Sequence, residues 1–358
     1  MRGPEPFRVT VRAPGRVNLL GGHVDFHGGL VVCAAIDRHV VVRASAHDRD
    51  EVVLRSEGFD GVVGVGRAAL DEPWSVRPAW GRLAAGVLAQ LRDAHGVWAP
   101  FDATISSDLP AGGGLSSSAA LEVALARAAL AVAGAEVPDM EVAQLGCAAE
   151  LTATGVPCGI QDQAASVLGG VQLLDCRDLS AVPLALPDGV ALVVVDSGVT
   201  RRLEGSPWAA RRAESFEDAR EIGVEQLRDA TLDQTVGRPR ARHVVSEIER
   251  VRRFADVLRR GDVAEAGRLM VESHASSRDL WQSSVPALDV IVEELVAAGA
   301  HGARLTGGGF GGCVVALVPS EGAEGIGRRA ANAAAARLGH AVNPMVLEVA
   351  GPAAVVAG

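Results

Sequence analysis

A chain of 358 residues, 48% of them hydrophobic, has length enough for two domains of ordinary size around a substantial core. Its 44 acidic against 34 basic residues give a formal net charge of −10, which counts against a nucleic-acid partner, since that partner rewards a basic face. Every basic residue is arginine, so neither a Walker-type phosphate loop nor a protein-kinase active site, both built on a lysine, can be present.

The chain order begins with an alternating stretch at residues 7–13, read as a strand, followed by a glycine-rich polar loop at 13–29. Residues 30–36 and 39–44 are β-branched and apolar and predict two further strands. Apolar positions Leu83, Val87, Leu88 and Leu91 predict a helix over 80–93. A short strand at 102–107 leads into Pro110-Ala-Gly-Gly-Gly-Leu-Ser-Ser-Ser118 and a helix over 117–132. Glycines let backbone amides approach a ligand, and a serine before a helix suits the N-cap, so this stretch reads as an anion cradle or as an ordinary capped turn.

A third helix is expected at 140–153, a polar loop at 155–165 and a short strand at 190–196, with a domain boundary near 183–188. Amphipathic helices follow at about 242–260, 263–278 and 286–298. The loop Thr306-Gly-Gly-Gly-Phe-Gly-Gly312 precedes a strand at 313–319, a helix at 324–338 and a terminal strand near 344–349. Residues 229–240 are polar and aperiodic and are expected to be mobile. The five cysteines (Cys33, Cys147, Cys158, Cys176, Cys313) form no CxxC pair, which argues against a disulfide framework or zinc site and for a reducing compartment. Without a secretory signal or a membrane-length apolar run, a cytoplasmic protein with no membrane partner is expected.

Three glycine loops, at 13–29, 110–118 and 306–312, are each weak evidence, but together they carry a resemblance. Ala13-Pro-Gly-Arg-Val-Asn18 with the Gly-x-His-x-Asp core, Leu115-Ser-Ser-Ser-Ala119 and Leu305-Thr-Gly-Gly-Gly-Phe-Gly-Gly-Cys313 resemble the three motifs of the galactokinase, homoserine kinase, mevalonate kinase and phosphomevalonate kinase (GHMP) superfamily, nearest to its galactokinase branch. The loop Pro157-Cys-Gly-Ile-Gln-Asp-Gln163 is similar to that family's catalytic loop.

The resemblance implies an α+β, two-domain fold: an N-terminal unit over 1–185 like ribosomal protein S5 and a ferredoxin-like C-terminal unit over 186–358. It implies a cytoplasmic sugar 1-kinase, a monomer or weak homo-oligomer, with a small-molecule sugar and ATP as its partners and Mg²⁺ as its metal. Asp162 would accept the proton of the sugar C1 hydroxyl, with Arg16 beside it to offset charge on the transferring group. His23, Asp25, Gly159, Gly22 and Trp208 would face the sugar. Gly112, Gly113, Gly114, Leu115, Ser116, Ser117 and Ser118 would cradle the phosphates, and Trp80 would stack on adenine. Glu150 with Ser117 or Ser118 would bind the metal.

The match departs from the family at three places. Gln161 stands where methionine is usual. Gly22 stands where a glutamate usually accepts hydrogen bonds near the sugar C6, and Trp208 stands where a tyrosine usually contacts the sugar. Galactose is the sugar that the resemblance implies first; removing a charged acceptor and opening space at Gly22 would make a sugar altered at C6, such as galacturonate or L-arabinose, less disfavoured, unless His27, Gln161 or water took over. A non-catalytic sugar and ATP sensor is the alternative of another class, against which the whole Ser116–Ala120 segment counts.

Overall fold

The computed structural model describes residues 8–110, 112–155, 158–199 and 207–357. Ala111 of the glycine loop and Pro157 of the second loop therefore lie outside the described residues. The N-terminal half is built on strands β1 (Arg8–Leu20), β2 (Leu30–Ala46), β3 (Glu51–Ser56), β4 (Val62–Gly66), β5 (Phe101–Ser107), β6 (Val171–Asp175) and β7 (Ala181–Leu184). Their main order is β1-β2-β5-β3-β4, with β6 also on β2 and β7 on β6, and every pairing is antiparallel except that of β3 with β5.

Two expectations change here. β1 does not stop at Ala13 but continues to Leu20, with register shifts against β2 between Pro14 and Arg16 and again between Asn18 and Leu20. The two strands expected at 30–44 are one, β2, long enough to pair with β6 along its first half and with β5 along its second.

Helix α2 (Ser117–Ala133) lies across β1 and β2, with α1 (Gly81–His95), α3 (Asp139–Thr154) and α4 (Gln161–Leu168) packed around it. Buried Val123, Ala124 and Ala128 of α2 face the same core as Val11, Val17 and Val42 of the sheet. Alanine at close-packed helix positions lets this layer approach the sheet at little entropic cost.

The chain then crosses to β8 (Val190–Asp196), which forms the antiparallel sheet β11-β8-β10-β9 with β9 (Gly302–Leu305), β10 (Cys313–Pro319) and β11 (Asn343–Leu347). This sheet is covered on both faces, which explains its continuous apolar runs. Val193, Val195, Val314 and Ala316 pack under α8 (Pro286–Ala297) and α9 (Ala323–Leu338). Leu192, Val194, Val315 and Leu317 face the main core with α6 (Pro239–Arg260) and α7 (Val263–Ser276). The two sheets are therefore joined by shared core, and the tail returns further: β12 (Ala354–Ala357), absent from the sequence expectation, pairs with β1.

Residues 229–240, expected to be mobile, instead form short 3₁₀ turns at Leu227–Asp229 and Leu232–Thr235, and α6 already begins at Pro239. Thr231 and Gln234 make a reciprocal capping box, Arg177 binds Asp229, and Asp218 of α5 (Trp208–Ile222) accepts from the Ala241 amide. Order here comes from long-range polar bonds rather than from apolar periodicity. Among the described residues no helix is long and apolar enough to cross a membrane.

Candidate active site

The site grows from the bend in β1. A Cβ on Gly15 would lie 2.6 Å from the Leu115 carbonyl oxygen, so glycine allows β1 to press against the 110–118 loop. The Arg16 amide donates to that carbonyl at 3.0 Å, and the Arg16 side chain reaches forward. Nη1 donates to the Gly114 carbonyl at 2.7 Å, while Nε and Nη2 donate to the two oxygens of Asp162 at 2.7 and 2.5 Å. This is the fork-to-fork arrangement in which an arginine fixes both position and plane of a carboxylate. Arg16 is 4% exposed and Asp162 26%, so the carboxylate is the member that a ligand can meet.

The glycine loop folds through left-handed residues: Gly112 at φ 72°, Gly114 at φ 74° and, against the usual preference, Ser116 at φ 62°. Ser116 occupies the N-cap of α2 but makes no capping bond. Its hydroxyl donates to Asp162 Oδ2 instead. The cap expected from the sequence is thereby diverted, and the first amides of α2 have no side-chain cap at the end where Ser117 and Ser118 line a cavity of about 610 Å³. The 306–312 loop backs the 110–118 loop, since a Cβ on Gly312 would lie 3.0 Å from the Gly113 carbonyl oxygen.

Arg16, Asp162, Gly22, His23, Asp25, Gly159, Trp208, Gly112, Gly114, Ser116, Ser117, Ser118 and Glu150 all line this one cavity. Three anticipated residues do not. Gly113 uses its amide on the Pro110 carbonyl, Leu115 is buried in the core, and Trp80 sits at the start of α1, donating to the Asp60 carbonyl and stacked on Phe59. His27, considered as a substitute for the missing acceptor, is also off the cavity, bound to Ser215 with burial pushing its imidazole down to about 4.

At the wall formed by the 21–29 segment, His23 has φ 62°, stacks on Trp281 at 4.9 Å and bonds Ser283 through Nε2. Burial, and then the Asp162 charge, push Asp25 up to about 6. Gly159 presses against it, for a Cβ there would fall 1.7 Å from Asp25 Oδ2. Trp208 meets the Phe26 ring edge-on at 6.1 Å.

Gly22 corrects the expectation of open space. A Cβ on Gly22 would lie 2.6 Å from Arg304 Nη2, so a guanidinium fills the volume. Arg304 is fully buried and donates through Nη1 to Asn18, and its Nε has no hydrogen-bond partner. Burial, against the opposing Glu247 charge, lowers it to about 10. Glu247 of α6 accepts from the Gly21 and Gly22 amides at 3.0 and 3.3 Å, from Ser273 at 2.5 Å and from Arg250. Burial raises this carboxyl, but the Arg250 and Arg304 charges outweigh burial and hold it at about 2. His243 completes the layer by bonding the Gly22 carbonyl at 3.0 Å.

Sequence reasoning missed this supporting shell. Its one legible signal was Glu247 on the apolar face of α6, between Val244 and Val251. Asn18 was also missed as a lining residue, although it stands inside the first motif; it ties β1 to the other loops through Gln161 at 2.7 Å and Thr306 at 2.8 Å.

Glu150 faces the cavity from α3 with the serines opposite, and Gln163 Nε2 bridges it at 3.3 Å to buried Glu122 at 2.8 Å. Burial, and then the Glu150 charge, push Glu122 well above the carboxylate range. Among the described residues no cluster of three or more His, Cys, Asp or Glu could hold a metal. One carboxylate and two hydroxyls nevertheless fit a hard cation that keeps water and takes phosphate oxygens as further ligands.

Comparison with known proteins agrees with this geometry. Residues 82–170 match the GHMP kinases N terminal domain, 254–337 the GHMP kinases C terminal domain and 2–46 the galactokinase galactose-binding signature. A galactokinase of Roseiflexus sp. (strain RS-1) is 42% identical over 329 residues, covering 87% of this chain and 83% of the relative. The crystal structure of Lactococcus lactis galactokinase complexed with galactose superposes with a TM-score of 0.89 at 28% identity, covering 97% and 95% of the two chains. The crystal structure of L. major mevalonate kinase in complex with R-mevalonate shares the fold, at a TM-score of 0.70 and 21% identity over 98% of this chain and 99% of that one. With both GHMP kinase domains and the galactose-binding signature matched and the fold shared with a galactokinase, the chain belongs to the galactokinase branch of the GHMP kinases and has their two-domain fold.

Proposed function

We propose that this kinase transfers the γ-phosphoryl group of ATP to the C1 hydroxyl of a galactose-type sugar. The observation that carries the reading is the Arg16–Asp162 pair, held in bidentate contact within the same cavity as the uncapped start of α2. Backbone amides and serine hydroxyls at α2 favour the phosphates, a role that falls to them in a chain without lysine. His23, Asp25, Gly159 and Trp208 hold the sugar so that its C1 hydroxyl donates to Asp162. Asp162 orients that oxygen for in-line attack and takes its proton as the phosphoryl group arrives, and Arg16 offsets the charge that develops. Glu150 with Ser117 or Ser118 would hold Mg²⁺, which would neutralise phosphate charge when bound. The resemblance assigns Trp80 to adenine, although Trp80 is not among the residues lining the cavity.

ADP release over galactose, galacturonate, L-arabinose, fucose, galactosamine and glucose, with Asp162→Ala as blank, tests this. Turnover on galactose is the expected result, and no turnover on any sugar despite intact ATP binding would sink the reading. One observation favours a second reading, a sugar with a carboxylate at C6: the Arg304 cation directly behind Gly22 has no carboxylate within ion-pair distance among the described residues. In that case galacturonate outpaces galactose and Gly22→Glu reverses the ranking. An unchanged ranking removes the second reading.

A further inference from the structure

Two thiols far from any CxxC spacing meet beside the cavity. Cys147 lies on α3, and Cys158 precedes α4 and lines the cavity. Their Sγ atoms are 3.3 Å apart, and each sulfur lies 3.8 Å from the carbonyl oxygen of the other residue. Both are half-buried free thiols, whereas Cys33 and Cys313 are buried. A disulfide places its sulfurs about 2.05 Å apart, so bridging this pair requires a closure of little more than roughly an ångström.

We propose that Cys147 and Cys158 form a dithiol modification site for peroxides, whose oxidation to a disulfide shuts down the adjoining cavity. One of the two sulfurs attacks hydrogen peroxide as its thiolate. The O–O bond breaks, one oxygen leaves as water and the other remains on sulfur as a sulfenic acid. The other thiol then loses its proton, attacks the sulfenic sulfur and expels the second water. Two thiols and one peroxide thus become one disulfide and two waters, with two electrons passing from sulfur to oxygen. Exchange with a small-molecule thiol restores both cysteines.

The consequence for the site follows from how little slack surrounds Cys158. Its neighbour Gly159 is already pressed on the Asp25 carboxylate, and the next turn carries Gln161, bound to Asn18, and Asp162, bound to Arg16. Drawing Cys158 toward α3 pulls Gly159 off Asp25 and re-aims the start of α4. The other end of the bridge lies on the helix that presents Glu150 and Thr154 to the same cavity. A bridge here therefore couples the two sides of the site.

The full chain, reduced and then exposed to hydrogen peroxide, is alkylated and digested for mass spectrometry while a parallel sample is assayed. The expected result is a linked pair of Cys147 and Cys158 peptides, two hydrogens lighter than the separate thiols, with at least about tenfold loss of ADP release. Dithiothreitol reverses both. Cys147→Ser keeps its basal activity, forms no linked pair and retains activity through the same exposure; Cys147→Ala serves if the serine variant folds poorly. Absence of the linked pair in the unmodified chain overturns the proposal. So does a linked pair with unchanged activity, or a Cys147→Ser variant inactivated as fast as the parent. The linked-peptide measurement does not depend on turnover, so failure of the kinase reading and failure of the dithiol site are distinguishable; without turnover, ATP affinity replaces ADP release as the second readout.

Discussion

Two arginine-held carboxylates lie close to the cavity, and their difference separates chemistry from scaffolding. Asp162 takes both donors of Arg16 and the Ser116 hydroxyl while remaining 26% exposed. Glu247 takes Arg250, Ser273 and two backbone amides at 0% exposure. Each is fully satisfied by hydrogen bonds, so satisfaction alone does not mark a reactive group. Access does: Asp162 opens on the cavity, whereas Glu247 only holds the backbone of the wall at Gly21 and Gly22. The buried pair is a fixture whose charges are costly unless both partners stay.

The largest expected effect breaks this comparison at the reactive end. Asp162→Asn should lower kcat by about 10²–10⁴, with a thermal melting point within about 2 °C of the parent, a shift that corresponds to less than roughly 1 kcal/mol for a chain of this size. A matching collapse of stability would show that Asp162 is scaffold as well. Glu247→Gln attacks the other end. It leaves Arg250 without its carboxylate and Arg304 without the nearby opposing charge, and should cost about 3–5 kcal/mol in urea unfolding. If activity instead fell while stability held, the two carboxylates would have to exchange roles.

Asp25 stands between these extremes, buried yet lining the cavity. Its folded pKa of about 6 is above the ordinary 3.8, so the folded protein binds this proton more tightly than the unfolded chain does. The resulting contribution favours folding below pH 4 and is lost as pH rises from 3.8 to about 6. At about 1.4 kcal/mol per pH unit, unliganded Asp25→Asn should gain up to about 3 kcal/mol over the parent above pH 6 and nothing below pH 4. Melting curves across that range check it, and a pH-independent difference would refute the shift. The smallest effect concerns Trp80, outside the comparison altogether. If it stacks on adenine, Trp80→Ala should raise KM for ATP by roughly two- to tenfold, the equivalent of about 0.5–1.5 kcal/mol. An unchanged KM would leave Trp80 with its contacts to Asp60 and Phe59 only.

Much of the site was legible because glycine and serine loops announce themselves locally. Gly15, Gly112 and Gly114 are required by close approach or left-handed backbone, and those demands act within a few residues. β8 and β10 were equally plain, since a strand covered on both faces leaves an unbroken apolar run. Helix α5 was not legible: only Ser215 and Ala219 are buried along it, so it shows no apolar stripe. β12 was missed because four residues near the end of a chain carry too little pattern to declare a partner more than three hundred residues away.

By itself, then, the sequence determined the family and the absence of any lysine-based phosphate site, and it singled out the glycine and serine loop and Asp162. These rest on residue type and short spacing. Tertiary structure alone decided that Ser116 serves Asp162 rather than capping α2, that a buried arginine fills the gap at Gly22, and that Cys147 and Cys158 meet. Each of those joins residues from separate elements, and their distance is set by how helices and sheets pack, a quantity that no local pattern in the chain encodes.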